Sequence, residues 1–249
     1  MALNKQQIFA GSRGIAGADI DEGLRTYMLR VYNYMAIGLG ITGLAAVVTF
    51  MMAVVTTPAG MQLTGFGQML FNSPLKWVVL LAPLGMVFYL SARVNKMSVS
   101  GAQLGFWVFA LLMGISLSSI FLVYQQQSIA RVFFITAATF GGLSLWGYTT
   151  KKDISGWGSF LIMGLIGIII ASIVNIFLAS SALQFAVSVI GVLVFAGLTA
   201  YDTQRIKNMY YEGDGALVTG RKAVMGALTL YLDFINLFLM LLRLFGNRN

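Results

Sequence analysis

Two aspartates carry the chemistry that this sequence offers. Asp233 lies in LYLDFINLFLMLLRLFG, residues 230–246, an otherwise apolar run in which Asn236 follows three residues later on the same helical face. Asp202 lies in GLTAYDTQRIK, residues 197–207, at the end of the preceding apolar run. A charged aspartate at mid-bilayer depth costs roughly 2.5–3.5 kcal/mol on insertion scales, so each must face other helices or water, or hold a proton. The remaining acids stand in polar stretches: Asp19, Asp21 and Glu22 before the first apolar run, Asp153 beside Lys151 and Lys152, and Glu212 and Asp214 between the last two runs. Two carboxylates in a site poor in water cannot both ionise cheaply, because desolvation and mutual repulsion add, and a pair so placed shares a proton. Such a pair would sense protons without histidine. Doubly ionised, Asp202 and Asp233 would attract a hard cation such as calcium, whose preferred ligands are carboxylate oxygens.

Three further residues bear on this site. Arg205 follows Asp202 by three positions, so a local helix-end ion pair is the plain alternative for Asp202. Arg93, after the second apolar run, is a candidate for a gate-closing ion pair with Asp202, with a snorkelling arginine as its alternative. Asn236 is expected to support Asp233, with which it shares a face.

The elements that must position these residues follow from composition. Of 249 residues 58% are hydrophobic and 10% charged, and the mean hydropathy is +0.83; soluble domains carry roughly 25% charged residues. The chain therefore reads as an integral membrane protein. It has no cysteine and no histidine, which excludes disulfides, thiol nucleophiles, Cys/His zinc sites and imidazole catalysis. Apolar segments at about 31–55, 76–95, 103–123, 130–148, 158–178, 183–204 and 224–244 each approach the roughly 20 residues that cross a bilayer. The expected fold is thus an all-α transmembrane bundle of seven helices over residues 28–249, preceded by a polar cytoplasmic tail over residues 1–27 that has no signal-peptide core.

The net charge of +8 is scattered between apolar runs, so it reads as a topology signal and not as a nucleic-acid surface. Lys5, Arg13, Arg25, Arg30, Arg93, Lys96, Lys151, Lys152, Arg205, Lys207, Arg221 and Lys222 all fall on one side of a seven-helix arrangement. Lys76 and Arg131 fall on the other. The expected N-terminus is cytoplasmic and the C-terminus external, unless the last segment is re-entrant and returns the tail. Glycines within the runs, among them Gly38, Gly43, Gly164, Gly191 and Gly197, predict closely approaching helices, and Pro83 predicts a kink. Ser116, Ser118 and Ser119 predict hydrogen bonds between helices. No internal repeat and no separate soluble domain is visible.

GISLSSIFLVY from Gly114, FGGLSLWGYTTKKDIS from Phe140, GLTAYDTQRIK from Gly197 and ALTLYLDFINLFLMLLRLFG from Ala227 together resemble the Bax inhibitor-1 family, the transmembrane Bax inhibitor motif proteins, in its bacterial branch. The resemblance covers nearly the whole chain. It implies a multi-pass protein of the bacterial inner membrane in which the last helix is central and enclosed by the other six. It further implies a pH-responsive calcium leak, with Asp202 and Asp233 as the proton-sensing pair. The family's gating arginine falls on Arg93, although YLSARVNKMS departs from the arginine-rich version of that segment. Some bacterial members are associated with a membrane-bound AAA protease, and a regulatory interaction of that kind is the alternative function. No cofactor is expected beyond calcium as a bound or transported ion. Paired aspartates on neighbouring helices also serve intramembrane proteases, but YLDF is not their Gly-x-Gly-Asp setting and no Pro-Ala-Leu segment lies near the C-terminus, so no enzyme activity is expected.

Overall fold

Within a bilayer every backbone N–H and C=O must be satisfied inside the chain, so apolar runs of this length fold as helices. The structure is a computed structural model that describes the backbone of residues 3–58 and 60–249, with side chains from Glu22 onward. Among the described residues seven helical stretches are long and apolar enough to cross a membrane: Glu22–Ala53, Leu75–Lys96, Val99–Val123, Gln126–Thr149, Trp157–Leu178, Ser181–Asn208 and Ala216–Phe245. They coincide with the expected segments and extend past most of their ends.

In chain order, α1 (Leu3–Ala53) runs into a hairpin of β1 (Val54–Thr57) and β2 (Gly60–Leu63), paired antiparallel with Val54 opposite Leu63. Gly60 opens β2 at φ 110°, a conformation that suits glycine. A short α2 (Gly65–Phe71) follows, capped by the Thr64 hydroxyl, which accepts from the Gly67 amide at 3.1 Å. Next come α3 (Leu75–Arg93), which continues through Pro83, and α4 (Val99–Leu117), capped by Ser98. Helix α4 breaks at Ser118 and Ser119 before the single turn of α5 (Ile120–Val123). These serines were expected to join helices. Instead Ser118 Oγ donates to the Ile115 carbonyl (2.6 Å) and Ser119 Oγ to that of Ser116 (3.1 Å), satisfying their own helix where its ladder ends. The last elements are α6 (Gln126–Thr149), α7 (Trp157–Leu178), α8 (Ser181–Asn208) and α9 (Ala216–Phe245).

Helix α9 is the most buried. In its most apolar stretch 72% of residues are buried, against 11% for α3 and for α7. Its principal neighbours are α1, α4, α6 and α8, whereas α3 packs on α4 and α7 on α8. The side chains explain the arrangement: Phe106 and Phe109 of α4 meet the Tyr231 ring edge-on at 5.8 and 5.1 Å, and Phe133 and Phe140 of α6 meet Phe234, each at 5.5 Å. Thr42 Oγ1 donates to the Ala110 carbonyl at 2.8 Å, which leaves its lone pair to accept from the Tyr231 hydroxyl at 2.6 Å.

The re-entrant alternative for the last segment is overturned by its two ends. Near its start, Arg221 Nε donates to the Met97 carbonyl, just before α4 begins (2.7 Å). Beyond its end the chain is tied to the far end of α4 and α5: Gln125 N donates to Asn247 O and Asn249 N to Val123 O, each at 3.0 Å, and Asn247 N to Ser128 Oγ at 2.9 Å. Helix α9 therefore runs the full height of α4 and does not turn back. The polar tail expected over residues 1–27 lies, as far as residue 21, outside the described side chains. Tyr27 and Met28, each 2% exposed, belong to the core.

Candidate functional site

The segment YDTQRIK, residues 201–207, places each of its side chains in a different task on α8. Tyr201 packs on Gly158, where a Cβ would meet its ring. Asp202 turns inward, and Thr203, fully buried, donates its hydroxyl to the Thr199 carbonyl at 2.7 Å. With that hydrogen committed, Ser144 of α6 donates to Thr203 (2.9 Å) and Tyr32 of α1 donates to Ser144 (2.7 Å), a one-directional hydroxyl chain linking three helices. Gln204 holds the α6–α7 connection: its Oε1 accepts from the Ile154 amide (3.0 Å) and its Nε2 donates to the Lys152 carbonyl (2.8 Å). In the same connection Asp153 accepts from the Ser155 amide at 2.9 Å, which holds its carboxyl below the usual carboxylate range. Ile206 packs on Gly226 of α9, and Lys207 Nζ donates to the Tyr148 carbonyl at 2.8 Å. Gln204→Ala deletes two largely buried hydrogen bonds, each contributing about 0.5–1.5 kcal/mol. It should lower the unfolding temperature in detergent, and so should Gln204→Glu, which keeps the acceptor but sets a carboxyl oxygen against the Lys152 carbonyl.

Asp202 and Asp233 are brought together. They are 7% and 6% exposed, and their carboxyl groups are neighbours across the α8–α9 interface. The second Asp233 oxygen, Oδ2, is buried with no hydrogen-bond partner among the described residues. A buried carboxylate oxygen left bare is costly, so this atom calls for a proton, a water or a cation.

Of the expected partners, Arg205 is the one that engages. Its guanidinium lies 3.6 Å from Asp202 Oδ1, from a side chain that is itself 62% exposed. Arg93 does not form the expected pair: it sits exposed on the last turn of α3 and makes no ion pair among the described residues. The reason is positional, since the i+3 spacing delivers Arg205 to Asp202 on one helix face while Arg93 projects from an outer helix. Asn236 also departs from expectation. Its amide nitrogen donates to the Leu232 carbonyl of its own helix at 2.8 Å.

A cavity of about 410 Å³ leads to the pair from the end of the bundle that carries the basic loops. Asp202 lines it, together with Asn95, Arg205, Arg221, Lys222 and Thr229, while Asp233 lies behind Asp202. Lys222 is already paired with Asp214, and Arg221 with the Met97 carbonyl. Beyond Asp233, α9 continues with Phe234, Leu237, Phe238 and Leu241, all buried. The arrangement is a vestibule of mixed lining, in which Val94, Ile206, Met209, Val218 and Met225 stand among the polar side chains; it reaches Asp202, with Asp233 and an apolar plug behind. Calcium takes six to eight oxygens, and no third acid joins this pair among the described residues. The donor set suits a cation that keeps much of its water, not a permanent cage.

Sequence reasoning found both acids and Arg205 but not Tyr32, Ser144, Thr203 or Gln204. Hydroxyls and amides in apolar helices are common, and only their mutual distances single these out.

A family model described as inhibitor of apoptosis-promoting Bax1 matches residues 24–249. The chain is 51% identical over 228 residues to the uncharacterized protein RP147 of Rickettsia prowazekii (strain Madrid E), with 92% of each chain covered. It is 47% identical over 229 residues to the inner membrane protein YbhL of Escherichia coli (strain K12), covering 91% of this chain and 93% of that one. To an uncharacterized protein of Caulobacter vibrioides it is 47% identical over 235 residues, covering 93% and 92%.

Proposed function

The chain belongs to the Bax inhibitor-1 family, and from that premise we propose that it is a proton-controlled cation leak of the bacterial inner membrane, with Asp202 and Asp233 as its sensor and calcium as the ion it passes. The observation that carries this reading is the bare, buried oxygen of Asp233 beside Asp202, the acid that lines the vestibule. The proton count of the pair sets its charge. With one shared proton the pair bears a single negative charge, which Arg205 balances. With none it bears two, one more than Arg205 balances, and a cation is drawn from the vestibule into the site. Onward passage requires the plug of Phe234, Leu237, Phe238 and Leu241 to yield.

The orientation in this reading follows the basic loops, with the vestibule facing the cytoplasm. Support for the inner membrane comes from the relative YbhL, described as an inner membrane protein. The test is calcium flux into liposomes that contain the purified protein and a trapped indicator, followed over a pH series. Asp202→Asn should flatten the pH profile of the parent; an Asp202→Asn profile that superimposes on the parent's overturns the proposal.

A further inference from the structure

The four long helices packed on α9 fall into two pairs, α1 with α4 and α6 with α8, and a seam lies on either side between the pairs. Helices α1 and α6 each pack on α9 far more than on one another, with Tyr32 hydrogen-bonded to Ser144 across the gap, and the seam between them holds two cavities, of about 600 and 340 Å³, that share Leu39 as a common wall residue. Helix α9 forms the floor of both, through Phe234 in the larger and Ile235 and Phe238 in the smaller. Phe234 is the immediate neighbour of Asp233 and is only 3% exposed, yet it is reachable along this seam.

The lining decides what class of molecule fits. The larger cavity is walled by Met28, Leu29, Met35, Phe140 and Leu145, with Arg25 at the end near the basic loops. Its inner hydroxyls are not free for a polar solute: Tyr32 donates to Ser144, and Ser144 to Thr203. Arg25 is exposed and makes no ion pair among the described residues. A partner helix is too thick, since one turn about 5.4 Å tall and 10 Å wide occupies roughly 400 Å³; the larger cavity holds fewer than two turns, against the roughly 20 residues of a spanning helix. A flexible hydrocarbon chain with an anionic head meets both conditions, burying methylenes in the seam and placing its charge at Arg25.

We propose that the α1–α6 seam is a binding site for one anionic phospholipid, its acyl chain lying against Phe234 and its phosphate at Arg25. The site is separate from the vestibule and does not depend on the leak reading. It is tested on the unaltered protein in nanodiscs of phosphatidylcholine with or without phosphatidylglycerol, each lipid carrying a photoreactive group midway along one chain. Chains of the surrounding bilayer label the outer faces of all helices; a chain inside the seam labels Phe234. The expected result is labelling of Phe234, stronger with phosphatidylglycerol, together with one phosphatidylglycerol retained through detergent extraction. Arg25→Gln should reduce the preference for phosphatidylglycerol by about fivefold, the equivalent of one surface arginine, and Gly141→Phe, which fills the seam from α6, should abolish labelling of Phe234. Labelling confined to the outer faces overturns the site, and equal labelling of Phe234 by both lipids overturns the role of Arg25.

Discussion

Under the proposed leak function, Asp233→Asn should leave cation flux almost insensitive to pH. The substitution keeps the shape and hydrogen-bonding capacity of the side chain and removes its ionisation. Asp202 then remains as a lone acid at the vestibule floor, 3.6 Å from Arg205, which balances its one charge while it is ionised. The pair can no longer move from one net negative charge to two, which is the event assigned to gating. Because the acids act as a unit, the double variant Asp202→Asn/Asp233→Asn should behave like either single variant and not show the sum of their effects. The measurement is the same liposome flux series, with folding checked by the unfolding temperature in detergent. Additive losses would show two independent acids and would remove the shared proton from the account.

Gly147→Ala and Gly142→Ala should shift stability in opposite directions although they lie less than two turns apart on α6. At Gly147 a Cβ would fall on the Ala200 backbone of α8, 3.0 Å from its Cα and carbonyl carbon. Backbone cannot swing aside as a side chain can, so α6 and α8 must separate, at a cost of about 1–3 kcal/mol. The separation would also stretch the Ser144–Thr203 hydrogen bond, next to Asp202. At Gly142 nothing lies within 4 Å of the added atom, and alanine there should stabilise the helix by about 0.5–1 kcal/mol. Thermal unfolding of the two proteins in one detergent reads the contrast. Equal and small shifts would mean that α6 and α8 are not held in backbone contact.

Much of this was legible from residue order. The seven spans, the pairing of the single acid in each of the last two, and the family itself follow from runs of apolar residues and from YDTQRIK and LYLDFINLF, because hydropathy in lipid and local motif are properties of contiguous chain. The i+3 pair of Asp202 with Arg205 was legible for the same reason. Less legible was whether a polar side chain makes a local contact or a long-range one. Arg93 was a plausible partner by side of the membrane, but Arg205 was nearer by helix spacing. Asn236 and the serines at 118 and 119 turned back on their own helix carbonyls, a local satisfaction that sequence does not distinguish from a bond to a neighbour.

The sequence by itself thus determined that the chain is a membrane-spanning helical bundle with two acids that need a reason to be there. Only the tertiary structure decided that those acids meet, that Asp202 faces a cavity while Asp233 hides behind it, and that Gln204, Thr203 and Ser144 join the elements around them. It also decided that α1 and α6 part to leave a seam down to α9. The physical reason is one of range: burial in lipid is fixed residue by residue, whereas a shared proton, a hydroxyl chain or a gap between helices depends on how residues far apart in the chain are packed against one another.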